Sequence, residues 1–133
     1  MKEKIRVLII EDNEAINQFI KEDLAENGYH VDSVYNGEDA IQKIENETYE
    51  IAILDIRLKS DISGIDILKK IKSKKASRKT YVIMHTVFGA PEDMERARRL
   101  GADAYVAKLS GGEEDNLLLR EADNIRKKIH GLS

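Results

Sequence analysis

The chain of 133 residues contains no cysteine, which excludes disulfides, thiolate metal sites and a cysteine nucleophile. Long hydrophobic stretches are missing too. Apolar runs stop at about five residues, far short of the ~20 that a membrane-spanning helix needs. The opening Met1-Lys2-Glu3-Lys4 leads straight into a strand-like segment without the apolar core of a signal peptide, so the expectation is a cytoplasmic protein. No sign of charge dominates. A net charge of −3 gives no reason to expect direct contact with nucleic acid or with a membrane. His30, His85 and His130 are too scattered for a zinc site or a catalytic histidine. The single proline, Pro91, fits the first turn of a helix, where a missing N–H costs little.

What is present is 41% hydrophobic and 35% charged, as expected for a folded core under a heavily charged surface. The length suits one domain, residues 1–133, able to bury one core without staples. Strand-like and helical segments alternate. Ile5 to Ile10, Ile51 to Leu54 and Tyr81 to Met84 are short apolar runs that read as buried strands. His30 to Tyr35 is a strand interrupted by Asp32 and Ser33, and Ala104 to Ala107 is a short fifth strand. Between them, helical spacing appears in Ala15, Ile16, Phe19, Ile20 and Leu24, ended by Asn27-Gly28. It recurs in Ala40, Ile41 and Ile44 within Gly37 to Asn46, in Ile65, Leu68 and Ile71, and in Met94, Ala97 and Leu100 up to Gly101. A last stripe runs through Leu118, Ala122, Ile125 and Ile129. The basic stretch Lys69 to Lys79 fits a helix end and a loop.

Five βα units in succession predict a parallel sheet covered on both faces. The first, third and fourth strands are apolar enough for the centre, and the second and fifth suit the edges. This is the α/β, flavodoxin-like, doubly wound (βα)5 three-layer sandwich with strand order 2-1-3-4-5. Ligands in such sheets bind beyond the carboxyl ends of the strands, where strand order reverses. The first strand ends there in Glu11-Asp12, the third in Asp55, the fourth in Thr86 and the fifth in Lys108. A single Asp at a strand end is more often a cap or turn residue, and a single Lys or Thr there is unremarked surface or strand. Together, however, three mutually repelling carboxylates call for a cation. A hard divalent ion, Mg²⁺ before Mn²⁺, suits oxygen donors. The ion and Lys108 can neutralise a phosphoryl group, Thr86 can hydrogen-bond it, and a carboxylate can serve as nucleophile.

The segments I-R-V-L-I-I-E-D-N-E, I-A-I-L-D-I-R-L, Y-V-I-M-H-T and G-A-D-A-Y-V-A-K resemble the receiver domains of two-component response regulators, over nearly the whole chain. The intervals of 31 positions from Asp55 to Thr86 and 22 from Thr86 to Lys108 are close to that family's. The resemblance implies that Asp55 is phosphorylated by a sensor histidine kinase or phosphotransfer protein. Glu11, Asp12, Asp55 and the backbone carbonyl of Arg57 would hold Mg²⁺ (or Mn²⁺). Thr86 would be the switch hydroxyl, Lys108 the family lysine and Tyr105 the switch aromatic. An unknown downstream protein would read the result, and the chain would be a phosphoacceptor rather than a conventional enzyme. The fourth helix and fifth strand would be the moving face, with Arg96, Arg98 and Arg99 either a solvated face or a contact for an acidic partner.

Some positions depart from the family pattern. Lys59 stands where proline is usual, Gly64 comes about one residue late, and Leu109 follows Lys108 in place of a cis proline. Val87 is bulkier than usual and could narrow access, while Arg57 and Phe88 occupy places that tune hydrolysis of the acyl phosphate. Ala90 is a poor helix cap after the permissive Val87-Phe88-Gly89. The missing prolines leave open a degenerate receiver that binds partners without phosphoryl turnover. A phosphatase or flavin protein on the same fold is a further alternative, but Glu11-Asp12-Asn13 supplies neither a D-x-D motif nor a glycine-rich phosphate cradle.

Overall fold

The computed structural model describes residues 4–87, 91–108 and 117–131. Five strands alternate with five helices: β1 (Arg6–Ile10), α1 (Glu14–Glu26), β2 (His30–Val34), α2 (Gly37–Asn46), β3 (Ile51–Leu54), α3 (Gly64–Ser73), β4 (Tyr81–Val87), α4 (Pro91–Arg99), β5 (Ala104–Lys108) and α5 (Leu117–Ile129). All neighbouring strands are parallel, in the order β2-β1-β3-β4-β5. The polar-interrupted β2 and the partly buried β5 lie at the edges, although β5, which runs on to Lys108, is no shorter than β1.

Successive side chains of a strand point to opposite faces, so each central strand feeds two cores. Leu8, Ile10, Ala52, Leu54, Val82 and Met84 pack with residues of α2, α3 and α4, including Ala40, Ile44, Leu68 and Ala97. Val7, Ile9, Ile51, Ile53 and Ile83 pack with Ile20 and Leu24 of α1 and with Leu118, Ala122 and Ile125 of α5. Truncating one of these fully buried side chains to alanine carries the usual core cost of about 2–5 kcal/mol. Asn13, Asn36 and Ser63 cap α1, α2 and α3, each accepting a backbone N–H with its side chain. Gly101 ends α4 at φ +103, a conformation that glycine adopts without strain. No helix among the described residues is long and apolar enough to cross a membrane.

Two expectations need adjustment. β4 continues past Met84 to Val87, because His85, Thr86 and Val87 pair with Val106, Ala107 and Lys108 of β5. In α1 the apolar spacing places Phe19 inward, yet Phe19 is 47% exposed while Asn17 is fully buried. The reason is polar: the Asn17 carboxamide donates to the carbonyl oxygens of Glu11 and Val34, both at 2.9 Å, and ties α1 to the ends of β1 and β2. The Val34 carbonyl also accepts the amide of Glu11 at 3.2 Å, so Asn17 reinforces a junction that the main chain already makes. Phe88, Gly89, Ala90 and Leu109 lie outside the described residues.

Candidate functional site

Parallel register decides which residues meet. Ile10 is opposite Leu54, and Leu54 is opposite Met84. The residues just beyond, Glu11-Asp12 and Asp55, therefore emerge side by side, and the amide of Asp55 still donates to the carbonyl of Ile10 at 3.4 Å. Carboxylate oxygens of Glu11, Asp12 and Asp55 lie within 4.8 Å of one another. Glu11 and Asp55 are buried, and Asp12 is half-buried at the rim.

Lys108 reaches into this cluster from the end of β5. Its Nζ lies 2.5 Å from Asp55 Oδ2 and 2.5 Å from Glu11 Oε1. Burial pulls the Lys108 ammonium down, but hydrogen bonds to Asp55 and Glu11 outweigh it and hold the pKa above its usual value. The lysine is charged at neutral pH. Burial pushes the Glu11 carboxyl up, more strongly than Lys108 and the Asn13 amide pull it down. One ammonium thus leaves the carboxylates incompletely compensated. Glu11 Oε1 is buried, with the Lys108 ammonium as its close neighbour. An all-oxygen donor set with uncompensated negative charge fits a hard divalent cation.

Main-chain groups orient the same carboxylates. The amide of Asn13 donates to Glu11 Oε2 at 3.0 Å, that of Arg57 to Asp55 Oδ1 at 3.1 Å, and that of Lys59 to Asp12 Oδ2 at 2.7 Å. The segment from Ile56 to Ser63 folds back sharply onto the end of β3. Gly64 donates its amide to the carbonyl of Ile56 at 3.0 Å, and a Cβ on Gly64 would stand 1.9 Å from the carbonyl oxygen of Asp55. Only glycine allows this approach. Ser60 accepts from the amide of Gly37 at 3.4 Å and donates to the carbonyl of Ile62 at 2.8 Å, so this loop is fastened to α2.

Thr86 is buried in β4, beside Ala107. With Tyr105, Pro91, Met94, Glu95 and Arg98 it lines a groove of about 490 Å³ between α4 and β5. The Tyr105 ring packs against the α2–α4 core, its buried hydroxyl has no hydrogen-bond partner, and burial holds its pKa above the usual value. Val87 is 66% exposed and projects to the surface. Arg98 and Arg99 both bind Glu95, at 2.6 and 3.2 Å, so the arginine cluster of α4 is partly neutralised within its own helix.

Glu11, Asp12, Asp55 and Lys108 therefore converge, and Thr86 and Tyr105 share an adjoining groove. The main chain of Arg57 is tied to Asp55 through its amide. Sequence reasoning missed the Lys59 amide, for which the only signal is the absence of proline there. It also missed the ion pair of Arg57 Nη2 with Asp93 Oδ2 at 3.2 Å, which has no sequence signal.

A family model described as the response regulator receiver domain matches residues 7–119. The transcriptional regulatory protein DltR of Streptococcus agalactiae is 34% identical over 116 residues, which cover 87% of this chain and 50% of that protein. The response regulator ArlR of Staphylococcus aureus is 32% identical over 103 residues, 77% of this chain and 45% of that protein. The chain thus spans about half the length of these curated relatives. Among solved structures, a CheY-like response regulator receiver domain protein from Methanospirillum hungatei superposes with a TM-score of 0.83 at 28% identity, covering 98% of this chain and 99% of the other.

Proposed function

The chain belongs to the response regulator receiver domain family, and from that premise we propose that Asp55 is its phosphoacceptor. The observation that carries the assignment is the contact of Lys108 Nζ with both Asp55 and Glu11 inside the carboxylate cluster. On this reading, residues 1–133 form one receiver domain that works in the cytoplasm. It takes a phosphoryl group from a sensor histidine kinase or a phosphotransfer protein and passes the signal to a downstream protein, with no direct contact to nucleic acid or membrane. The chain assists its own phosphorylation and dephosphorylation and is not a conventional enzyme.

The chemistry follows from the side chains. A carboxylate oxygen of Asp55 attacks the phosphorus of a partner's phosphohistidine. The P–N bond breaks, its electron pair returns to the imidazole, and an acyl phosphate forms on Asp55. Lys108, already charged and at hydrogen-bond distance, stabilises the negative charge on the transferring group. Glu11, Asp12, Asp55 and the carbonyl of Arg57 would hold a Mg²⁺ or Mn²⁺ ion, which when bound neutralises phosphoryl oxygens. The product carries about −2 of charge at Asp55, where the free carboxylate carried −1. We read Thr86 as the hydroxyl that answers that charge and Tyr105, which lines the same groove, as the side chain whose packing changes with it. α4 and β5 form the face that moves.

The full set of acidic residues, hydroxyl and lysine disfavours a degenerate receiver. Acetyl phosphate with Mg²⁺ tests the assignment by intact-protein mass spectrometry. The wild-type protein gains one phosphoryl group and Asp55→Asn gains none. Equal labelling of both would move the phosphoacceptor elsewhere, and no labelling of either would favour the degenerate form.

A further inference from the structure

Each of the three clustered carboxylates accepts one peptide N–H, and the three donors are not equivalent. Asn13 to Glu11 and Arg57 to Asp55 are contacts between residues two apart in the chain. Lys59 to Asp12 spans 47 positions and joins the loop between β3 and α3 to the turn between β1 and α1. At 2.7 Å it is the shortest of the three. It also serves the carboxylate that lies at the rim of the cluster, where water competes for it.

We propose that the main-chain N–H of Lys59 is a positioning group for the divalent-ion site, holding Asp12 in the orientation that an ion requires. The inference rests on the reading of Asp12 as a metal ligand. A hydrogen bond on Oδ2 fixes the plane of the carboxylate and leaves Oδ1 to coordinate. Such outer partners of ligating carboxylates set metal affinity by about 10–100-fold. A proline at this position has no N–H to give. The residue type at position 59, through its backbone rather than its ammonium, therefore tunes how tightly the ion is held. Ser60, the next residue, fastens the same loop to α2.

Calorimetric titration with Mg²⁺ of the unphosphorylated full chain tests this. Lys59→Ala keeps the N–H and removes the charge; Lys59→Pro removes the N–H. The expected result is wild-type affinity for Lys59→Ala and affinity about tenfold weaker for Lys59→Pro. Equal affinity in the wild type and Lys59→Pro, or equal weakening in both variants, overturns the proposal. If the wild type binds no Mg²⁺, the metal-site reading fails and takes this inference with it, a result distinct from the other two. Should Lys59→Pro not fold, amide hydrogen exchange decides. The Lys59 amide is protected in the wild type and exchanges at least severalfold faster in Asp12→Ala, and equal exchange in both contradicts the bond.

Discussion

His85 sits in β4 directly before Thr86, 2% exposed, with its Nε2 buried and unpartnered. By strand alternation it shares a face with Ile83, on the side of α1 and α5. Burial and, secondarily, the charge of Lys108 lower its pKa to about 4, with Asp55 opposing. The unfolded chain takes up this proton near pH 6.5, whereas the folded chain waits until about 4. The stability that His85 contributes by staying neutral is thus present above pH 6.5 and is lost as pH falls through about 4, approaching about 3 kcal/mol. Glu11 acts in the opposite direction, because its raised pKa returns stability as pH falls. Urea unfolding across this window shows a steeper loss of stability in the wild type than in His85→Val, and parallel curves would refute the assignment. Arg57 makes a different case. Its ion pair with Asp93 is exposed, and such pairs contribute about 0–1 kcal/mol. Arg57→Ala should leave stability nearly unchanged yet speed hydrolysis of the acyl phosphate severalfold, by uncovering it to water. Following the decay of phosphorylated protein measures this, and an unchanged lifetime would exclude such a role for Arg57.

At the level of elements, the turn from β3 into α3 carries the tightest constraint. The three atoms nearest a Cβ at Gly64 would all be backbone: Asp55 O at 1.9 Å, Asp55 C at 2.7 Å and Ile56 Cα at 2.8 Å. None of these can rotate away, so Gly64→Ala must shift α3 or the Asp55 peptide. The expected cost is about 1–3 kcal/mol in denaturant unfolding, of the order seen for overpacking, with weaker phosphoryl acceptance. A variant of wild-type stability and labelling would show that the turn is looser than this contact implies. The elements themselves are legible in the sequence because periodicity marks them. Ile65, Leu68 and Ile71 alone place α3, and the four apolar residues from Ile51 place β3. The bonds between loops are not legible, because they follow no period. Lys59 to Asp12 and Arg57 to Asp93 depend on the path of the loop after β3, which spacing does not reveal. Asn17 defeats the pattern in the other direction, since a polar residue at a helical apolar position reads as exposed until its two carbonyl partners are known.

For the whole molecule, the sheet imposes a polarity. Its strands all run one way, so their carboxyl ends gather Glu11, Asp12, Asp55, Thr86 and Lys108 at one edge, while the faces are consumed by two cores. That is why the site is more legible than its loops: strand order alone decides that these residues meet, and strand order follows from which strands are apolar. The account depends on the three carboxylates sharing one ion next to Lys108. Crystals grown with Mn²⁺ and measured for anomalous scattering test this most directly. One strong peak is expected at bonding distance from oxygens of Asp12 and Asp55, with Glu11 facing it directly or through water. A peak elsewhere on the protein, or none while Lys108 alone occupies the space between Glu11 and Asp55, would contradict it.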